Sequence, residues 1–253
     1  MMKYTVITGA SSGIGYETAL AFASRGKNLI LVARRLDKLE ELKSTIQDID
    51  PKVNVIVHTS DLSVSAEAYT LYNDLKEYQI ETWINNAGLG EGSFIAEQNL
   101  DKVETMLRVN IESLTILSTL YVRDYANVEG TQLINVSSAL GYAIAVGSVA
   151  YSASKYYVSA FTEGLAKELE LKGAKLKAKV LAPAITETEF VQKSIDAEGF
   201  DYKANMPKYH TAKEMASFMI DLYDHNEVVV GIVDQNYEFQ LTGAIYPVIS
   251  ELN

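Results

Sequence analysis

Apolar positions along this chain fall into two rhythms. Short β-branched runs predict strands at residues 4–8, 29–33, 53–58, 82–85, 132–136, 177–181 and 228–233. Between them, apolar residues recur at helical spacing and predict helices over 14–25, 36–49, 66–78, 101–126, 149–172 and 212–224. Strand–helix alternation requires crossover connections, which predicts an α/β fold: a mainly parallel sheet with helices on both faces. The apolar runs at 29–32 and 53–57 suit strands covered on both sides. No linker, repeat or low-complexity segment breaks the pattern. Only residues 186–210 depart from it, as a long irregular stretch that reads as a lid or binding loop, or as disorder.

A chain of 253 residues can form one large α/β domain or two small ones, and it is long enough to bury a substantial core. The net charge of −11 argues against a nucleic-acid partner and against docking on anionic lipid. Against that acidic background the adjacent Arg34-Arg35 stands out. The absence of cysteine excludes disulfides, thiolate catalysis and Cys-based metal sites. His58, His210 and His225 are scattered without metal-ligand spacing, so no metal is expected. The most apolar stretch, 139–150, is too short and glycine-interrupted to span a bilayer. A β-like run that starts near Lys3 in place of a signal peptide makes the cytoplasm the expected location.

The segment Thr8-Gly9-Ala10-Ser11-Ser12-Gly13-Ile14-Gly15 joins the first strand to the first helix. Glycine there allows a tight turn and close approach of phosphate, while the helix start offers free N–H groups and a positive dipole end. Three glycines alone match by chance in roughly one chain in ten of this size. The position between strand and helix carries the argument against an ordinary glycine-rich turn. In dinucleotide folds an acid at the end of the second strand binds the ribose 2′-hydroxyl, whereas an arginine accommodates a 2′-phosphate. Here Arg34 stands at that place beside Arg35, which points to NADP(H) over NAD(H). The competing reading is two solvated arginines opening a helix that carries Asp37, Glu40 and Glu41. Asp61-Leu62 follows the third strand and Asn86-Ala87-Gly88 the fourth, at the edge where nucleotides bind in doubly wound sheets. Asp61 suits a helix cap as well as an adenine contact.

Tyr151 and Lys155 are four residues apart and so share a helix face, thirteen residues after Ser138. A nearby ammonium favours phenolate and lowers a tyrosine pKa from about 10, giving a proton donor or acceptor near neutral pH. Spacing alone decides little, because composition gives about one such pair by chance. The chain holds two others, Tyr72 with Lys76 and Tyr209 with Lys213.

Taken in order, the Thr8–Gly15 loop, Asp61, Asn86-Ala87-Gly88, Asn110, Ser138, Tyr151, Lys155 and Pro183 through Thr188 make the chain from about Lys3 to Phe190 resemble the short-chain dehydrogenase/reductase family. The resemblance implies one Rossmann-like doubly wound domain over residues 1–253, with a seven-stranded sheet in the order 3-2-1-4-5-6-7 and a substrate lid at about 186–210. It implies catalysis by Asn110, Ser138, Tyr151 and Lys155, with Tyr151 handling the proton while hydride moves to or from the nicotinamide. Lys155 would tune Tyr151 and bind the nicotinamide ribose. Ser138 would orient the carbonyl oxygen, and Asn110 would hold a water that links Lys155 to solvent. The residues implied around the dinucleotide are Gly9, Ser11, Ser12, Gly13, Ile14, Gly15, Arg34, Arg35, Asp61, Leu62, Asn86, Ala87, Gly88, Tyr151, Lys155, Pro183, Ile185 and Thr188. The family usually has glycine after the proline, where this chain has Ala184. The resemblance also singles out Tyr151 with Lys155 among the three pairs and leaves the other two as helix-surface or lid pairs.

Leu140, Tyr142, Phe94 and Phe190, with Ser138, are the expected substrate contacts, and they suit a small-to-medium, mostly apolar carbonyl or alcohol. Lid charges of both signs, among them Lys193, Asp196 and Glu198, specify no charged substrate group. The resemblance implies a homodimer or homotetramer built on the helices near 101–126 and 149–172, whose apolar stripes would serve a core equally well. Two other readings stand beside the oxidoreductase. A non-catalytic NADP(H) sensor or scaffold would not need both Tyr151 and Lys155. An epimerase or lyase using the same pair would need a larger C-terminal substrate domain. The role of 237–253 is open.

Overall fold

The computed structural model describes residues 2–197 and 199–249, so Glu198 of the expected lid and the last four residues of the C-terminal segment lie outside the described residues. The strands are β1 (Lys3–Thr8), β2 (Asn28–Ala33), β3 (Val55–Thr59), β4 (Gln79–Asn85), β5 (Gln132–Val136), β6 (Lys177–Ala182), β7 (Thr186–Glu187), β8 (His210–Thr211), β9 (Val230–Val233) and β10 (Phe239–Thr242). The helices are α1 (Gly13–Ala23), α2 (Leu36–Ile49), α3 (Ser65–Asp74), α4 (Leu100–Leu107), α5 (Leu114–Tyr125), α6 (Val149–Leu171), α7 (Glu189–Ser194), α8 (Tyr202–Asn205) and α9 (Ala212–Asp224).

The main sheet runs β10-β9-β6-β5-β4-β1-β2-β3. Seven of these strands reproduce the expected order, but the sheet has eight. The added edge strand β10 pairs antiparallel with β9 after a tight reversal in which Asp234 Oδ1 accepts from the amides of Asn236 and Glu238. Along the central strands successive side chains enter opposite layers. Ile7, Leu29, Leu31, Ile84 and Ile134 pack with Phe22, Leu39, Leu42, Met219 and Leu222 of α1, α2 and α9. Val6, Ile30, Val32, Trp83 and Leu133 pack with Leu71, Leu117, Tyr121 and Leu169 of α3, α5 and α6. Each fully buried aliphatic contributes about 1.5–3 kcal/mol relative to exposure, which is why these strands read as unbroken apolar runs.

Three elements differ from the sequence expectation. The helix expected over 101–126 is α4 and α5 joined through a wide π turn, Arg108–Ser113, which carries Asn110. The stretch at 186–210 is not irregular: it holds α7 and α8 and is closed at its base by a parallel β7–β8 ladder. Tyr72 is no helix-surface residue. It is buried, and its hydroxyl donates to Leu120 O at 3.0 Å and Asp124 Oδ2 at 2.8 Å, so it serves packing. No helix among the described residues is long and apolar enough to cross a membrane.

Candidate active site

The parallel strands bring their C-terminal ends to one edge, and the turns beyond β1, β4 and β5 meet there. Gly9 and Gly13 adopt φ of +68° and +58°, left-handed values that disfavour any side chain. A Cβ on Gly9 would stand 2.8 Å from Ala87 Cα, and one on Gly13 2.9 Å from Thr188 Cγ2. The loop is therefore pressed between the turn after β4 and the start of α7. Asn86 fixes it there: its side-chain amide donates to Thr8 O at 2.9 Å, while Thr8 Oγ1 accepts from the amides of Asn86 and Ala87, each at 3.0 Å. Ser12 precedes α1 in an extended conformation and makes no side-chain cap, so the first helical N–H groups remain available to an anion.

Arg34 is exposed at the end of β2 and makes no ion pair among the described residues. Arg35 is engaged instead: Nη2 donates to Ser11 Oγ at 3.2 Å, and Nη1 lies 3.3 Å from Glu189 of α7. Asp61 Oδ1 accepts from Ser63 N at 3.0 Å and Ser63 Oγ at 2.8 Å, so it closes a local turn ahead of α3 and is not the helix cap its position suits, a place that Val64 takes. Burial works against its charge, but the two Ser63 bonds and the Arg34 cation prevail and hold its carboxyl below the ordinary value. Leu62 is buried and its carbonyl accepts from Ser113 Oγ at 2.6 Å.

Ser138, Tyr151, Lys155 and Asn110 converge beside this loop. Lys155 is buried, and its Nζ donates to Val136 O at 3.0 Å and stands 5.8 Å from the Tyr151 ring centroid. A Cβ on Gly88 would lie 3.4 Å from both Lys155 Nζ and Asn110 Oδ1, so the turn after β4 bridges the loop to the Tyr–Lys pair. Burial pushes the Lys155 ammonium down to about 8. Burial also pushes the Tyr151 phenol up to about 12, against a smaller downward pull from the Ser138 hydroxyl. The expected downward shift of Tyr151 is thus reversed, because withdrawal of the phenol from water disfavours phenolate.

Asn110 is buried, not solvent-facing. Its side chain accepts from Leu89 N at 2.9 Å, donates to Leu89 O at 2.9 Å, and donates to Ser154 Oγ at 3.1 Å. The π turn widens the helix where this amide reaches across to two neighbouring segments. Asn110→Ala strands the Leu89 amide and carbonyl, at about 1–3 kcal/mol per buried group. The melting temperature should fall by roughly 2–4 °C for each kcal/mol, which calorimetry checks; an unchanged value would show that the clamp carries no stability.

Two residues escaped the sequence reading. Ser154 Oγ donates to Tyr151 O at 2.7 Å while accepting from Asn110, and Ser137 Oγ donates to Lys155 O at 2.9 Å and lies 2.8 Å from Ser159 Oγ. Both fix α6 at the turn that carries the pair. Their signal was position: one lies between Tyr151 and Lys155, the other beside Ser138. Beneath them Asn85 Nδ2 donates to Asn135 Oδ1 at 2.9 Å and to Ser118 Oγ at 3.0 Å, and Asn135 Nδ2 donates to Thr162 Oγ1 at 2.9 Å. This closed polar network ties β4 and β5 to α5 and α6.

Of the expected substrate contacts, Phe190 meets the site, with its ring centroid 5.5 Å from that of Tyr151. Leu140 sits in the turn after Ser138, where its amide donates to Ser138 Oγ at 3.1 Å. Phe94 is 60% exposed, and the Tyr142 hydroxyl is taken by Glu163 at 2.5 Å. Pro183 O accepts from Ala139 N at 2.7 Å, Ile185 O from His210 N at 3.0 Å, and Thr188 Oγ1 caps α7 at Phe190 N, so Ala184 leaves this segment attached to its neighbours. Among the described residues no group of three or more His, Asp or Glu could hold a metal ion.

The model of the short chain dehydrogenase family matches residues 3–199. An uncharacterized oxidoreductase of Staphylococcus saprophyticus is 34% identical over 196 residues, which is 78% of this chain and 79% of that protein. A short-chain dehydrogenase from Sphingobium yanoikuyae, solved in complex with NADPH, superposes with a TM-score of 0.82 at 29% identity, covering 91% of this chain and 87% of that one. The bulky-bulky ketone specific alcohol dehydrogenase from Comamonas testosteroni superposes with a TM-score of 0.78 at 27% identity, covering 90% and 85% of the two chains.

Proposed function

The chain belongs to the short-chain dehydrogenase family of oxidoreductases, and from that premise we propose that it transfers hydride between NADP(H) and a small-to-medium, mostly apolar carbonyl or alcohol, with Tyr151 as the proton donor or acceptor. One observation carries the reading: Ser138, Tyr151 and Lys155 gather at the sheet edge where the uncapped start of α1 and the glycine loop lie. The residues fit a dinucleotide. Gly9 and Gly13 supply the left-handed turns of the loop, Ser12 leaves the first α1 N–H groups without a side-chain cap, and exposed Arg34 offers a cation where a 2′-phosphate would be read. When bound, such a cofactor supplies or accepts the hydride.

In the reduction direction Tyr151 gives its proton to the carbonyl oxygen as negative charge grows there, and Ser138 donates to the same oxygen and fixes its place. Lys155 stabilises the phenolate left behind, which burial alone disfavours. Phe190 covers the phenol ring and supplies an apolar surface for substrate, in keeping with a ketone of the kind named for the Comamonas relative. We place this activity in the cytoplasm. An assay of aldehydes, ketones and alcohols with NADPH, NADP⁺, NADH and NAD⁺, followed by nicotinamide absorbance, tests the reading. Bound cofactor without turnover of any member would overturn it in favour of a sensor.

The pH dependence follows from the two shifts. Tyr151, up at about 12, stays protonated through the working range, so loss of the acid does not limit reduction there. Lys155, down at about 8, loses its charge as pH rises through that value. Reduction should therefore decline above about pH 8, while oxidation, which needs phenolate, should rise with pH. A reduction profile flat from pH 7 to about 10 would contradict this role for the Lys155 charge.

A further inference from the structure

Glu163 lies on α6 two turns beyond Lys155, is 1% exposed, and has no part in the chemistry described above. A carboxylate withdrawn from water needs compensating donors. Glu163 has three: the Tyr142 hydroxyl at 2.5 Å, Ile245 N at 2.6 Å and Tyr246 N at 2.8 Å. Two of them come from the segment that follows β10. The same segment reaches the turn after β5 directly, because the Tyr246 hydroxyl donates to Gly141 O and the Tyr246 ring stacks on Tyr142 at 5.3 Å and 21°. The turn has no slack on its other side, where a Cβ on Gly141 would stand 2.7 Å from Lys155 O.

We propose that the C-terminal segment is a positioning strap for the turn that carries Ser138, with Glu163 as its anchor and Tyr246 as its grip on the turn. The Ser138 hydroxyl takes its direction from this turn, since it accepts from Leu140 N at 3.1 Å. The chain just beyond is largely open to solvent, with Ile144 75% and Val146 85% exposed. Glu163 and Tyr246 secure it from behind, gripping Gly141 and Tyr142. Burial, with Tyr156 and Glu163 adding to it, pushes the Tyr246 phenol up to about 12, so the grip persists across the working pH range. Both are positioning residues, which act through the turn.

The role rests on the reading of Ser138 as the group that orients the carbonyl, so the test includes a measurement that does not require turnover. Amide hydrogen exchange at Gly141 and Tyr142, which donate to Ser138 O at 2.8 Å and Ala139 O at 3.0 Å, reports directly on the turn. Glu163→Ala and Tyr246→Phe should each accelerate that exchange and leave the amides of the α6 interior unchanged. For a reduced carbonyl, kcat should fall roughly 10–100-fold, the scale set by small misplacements of a reacting group, while the Kd for NADPH stays within about twofold. Glu163→Gln, whose amide oxygen still accepts from Ile245 and Tyr246, should restore most of the loss. Unaltered exchange in both Glu163→Ala and Tyr246→Phe overturns the strap, as does faster exchange with undiminished kcat. Should the unaltered protein reduce no carbonyl, the reading of the site fails, and the exchange measurement still decides whether the segment holds the turn.

Discussion

Tyr151→Phe should lower turnover by roughly 10³-fold while leaving the affinity for NADPH within about twofold of the original. The two readouts separate because the hydroxyl and the ring do different things. The hydroxyl is the group placed to give or take a proton, and the Ser138 hydroxyl beside it already biases its pKa. The ring packs on Phe190 at 5.5 Å and shields the Lys155 ammonium, 5.8 Å from its centroid, and phenylalanine keeps both contacts. Phenylalanine also leaves no buried polar atom without a partner, so the fold should tolerate it. Kinetics under saturating cofactor, with NADPH binding followed by fluorescence, measures both quantities. Retention of full activity would end the case for Tyr151 as the acid, since neither the Ser138 hydroxyl nor a neutral ring can replace a tuned phenol. Loss of NADPH affinity in parallel would mean instead that the ring props the site open.

What the sequence disclosed about this site and what it hid divide along a physical line. The parallel sheet with helices on both faces was legible because the central strands are apolar runs and the crossovers are helices, while the strand order came with the family resemblance. The glycine loop and the Tyr–Lys pair were legible because they lie at fixed distances from strand ends. What stayed hidden depends on long-range partners. Asn110 enters only through the family resemblance, because nothing local announces that Leu89, 21 positions away, offers an amide and a carbonyl to it. Lys179, in the middle of β6, is fully buried although its residue type favours solvent. Its Nζ donates to Leu222 O at 2.8 Å and Tyr223 O at 3.0 Å, the carbonyls at the end of α9. The eighth strand was missed because residues 239–242 alternate half-buried and exposed on an edge and pair on one side only, a weak signal beside a buried parallel run.

The direction of the Tyr151 shift shows the same limit for electrostatics. Spacing places a lysine on the tyrosine's helix face, and that alone argues for a lowered pKa. Burial acts on both groups at once, driving the phenol up to about 12 and the ammonium down to about 8. Which effect prevails depends on how deeply the pair is set, and depth is a property of the whole fold. In this protein Lys155 is buried beside the Gly88 turn, and Phe190 packs against the Tyr151 ring.

Arg34→Asp should invert the dinucleotide preference, weakening NADPH binding by about 10²-fold while leaving NADH binding unchanged or tighter. The magnitude follows from one charge-assisted phosphate contact, about 1.5–3 kcal/mol, with repulsion from the new carboxylate added to its loss. A carboxylate at this place can instead accept from the ribose hydroxyls of NADH. Two neighbours sharpen the expectation. Asp61 is held below its ordinary value in part by Arg34, so the substitution removes that help and sets a second acid beside it. The local charge changes by two units, from +1 to −1, so lost attraction and new repulsion of a 2′-phosphate add. Arg35 remains, but its guanidinium is shared between Ser11 and Glu189, and it must give up those partners to serve a phosphate. If Arg35 were the phosphate reader, Arg34→Asp would reduce NADPH and NADH binding by similar factors, and Arg35→Ala would alter the ratio instead. Kd values for both cofactors in both variants, measured at one fixed ionic strength because phosphate contacts are screened by salt, decide between the two arginines.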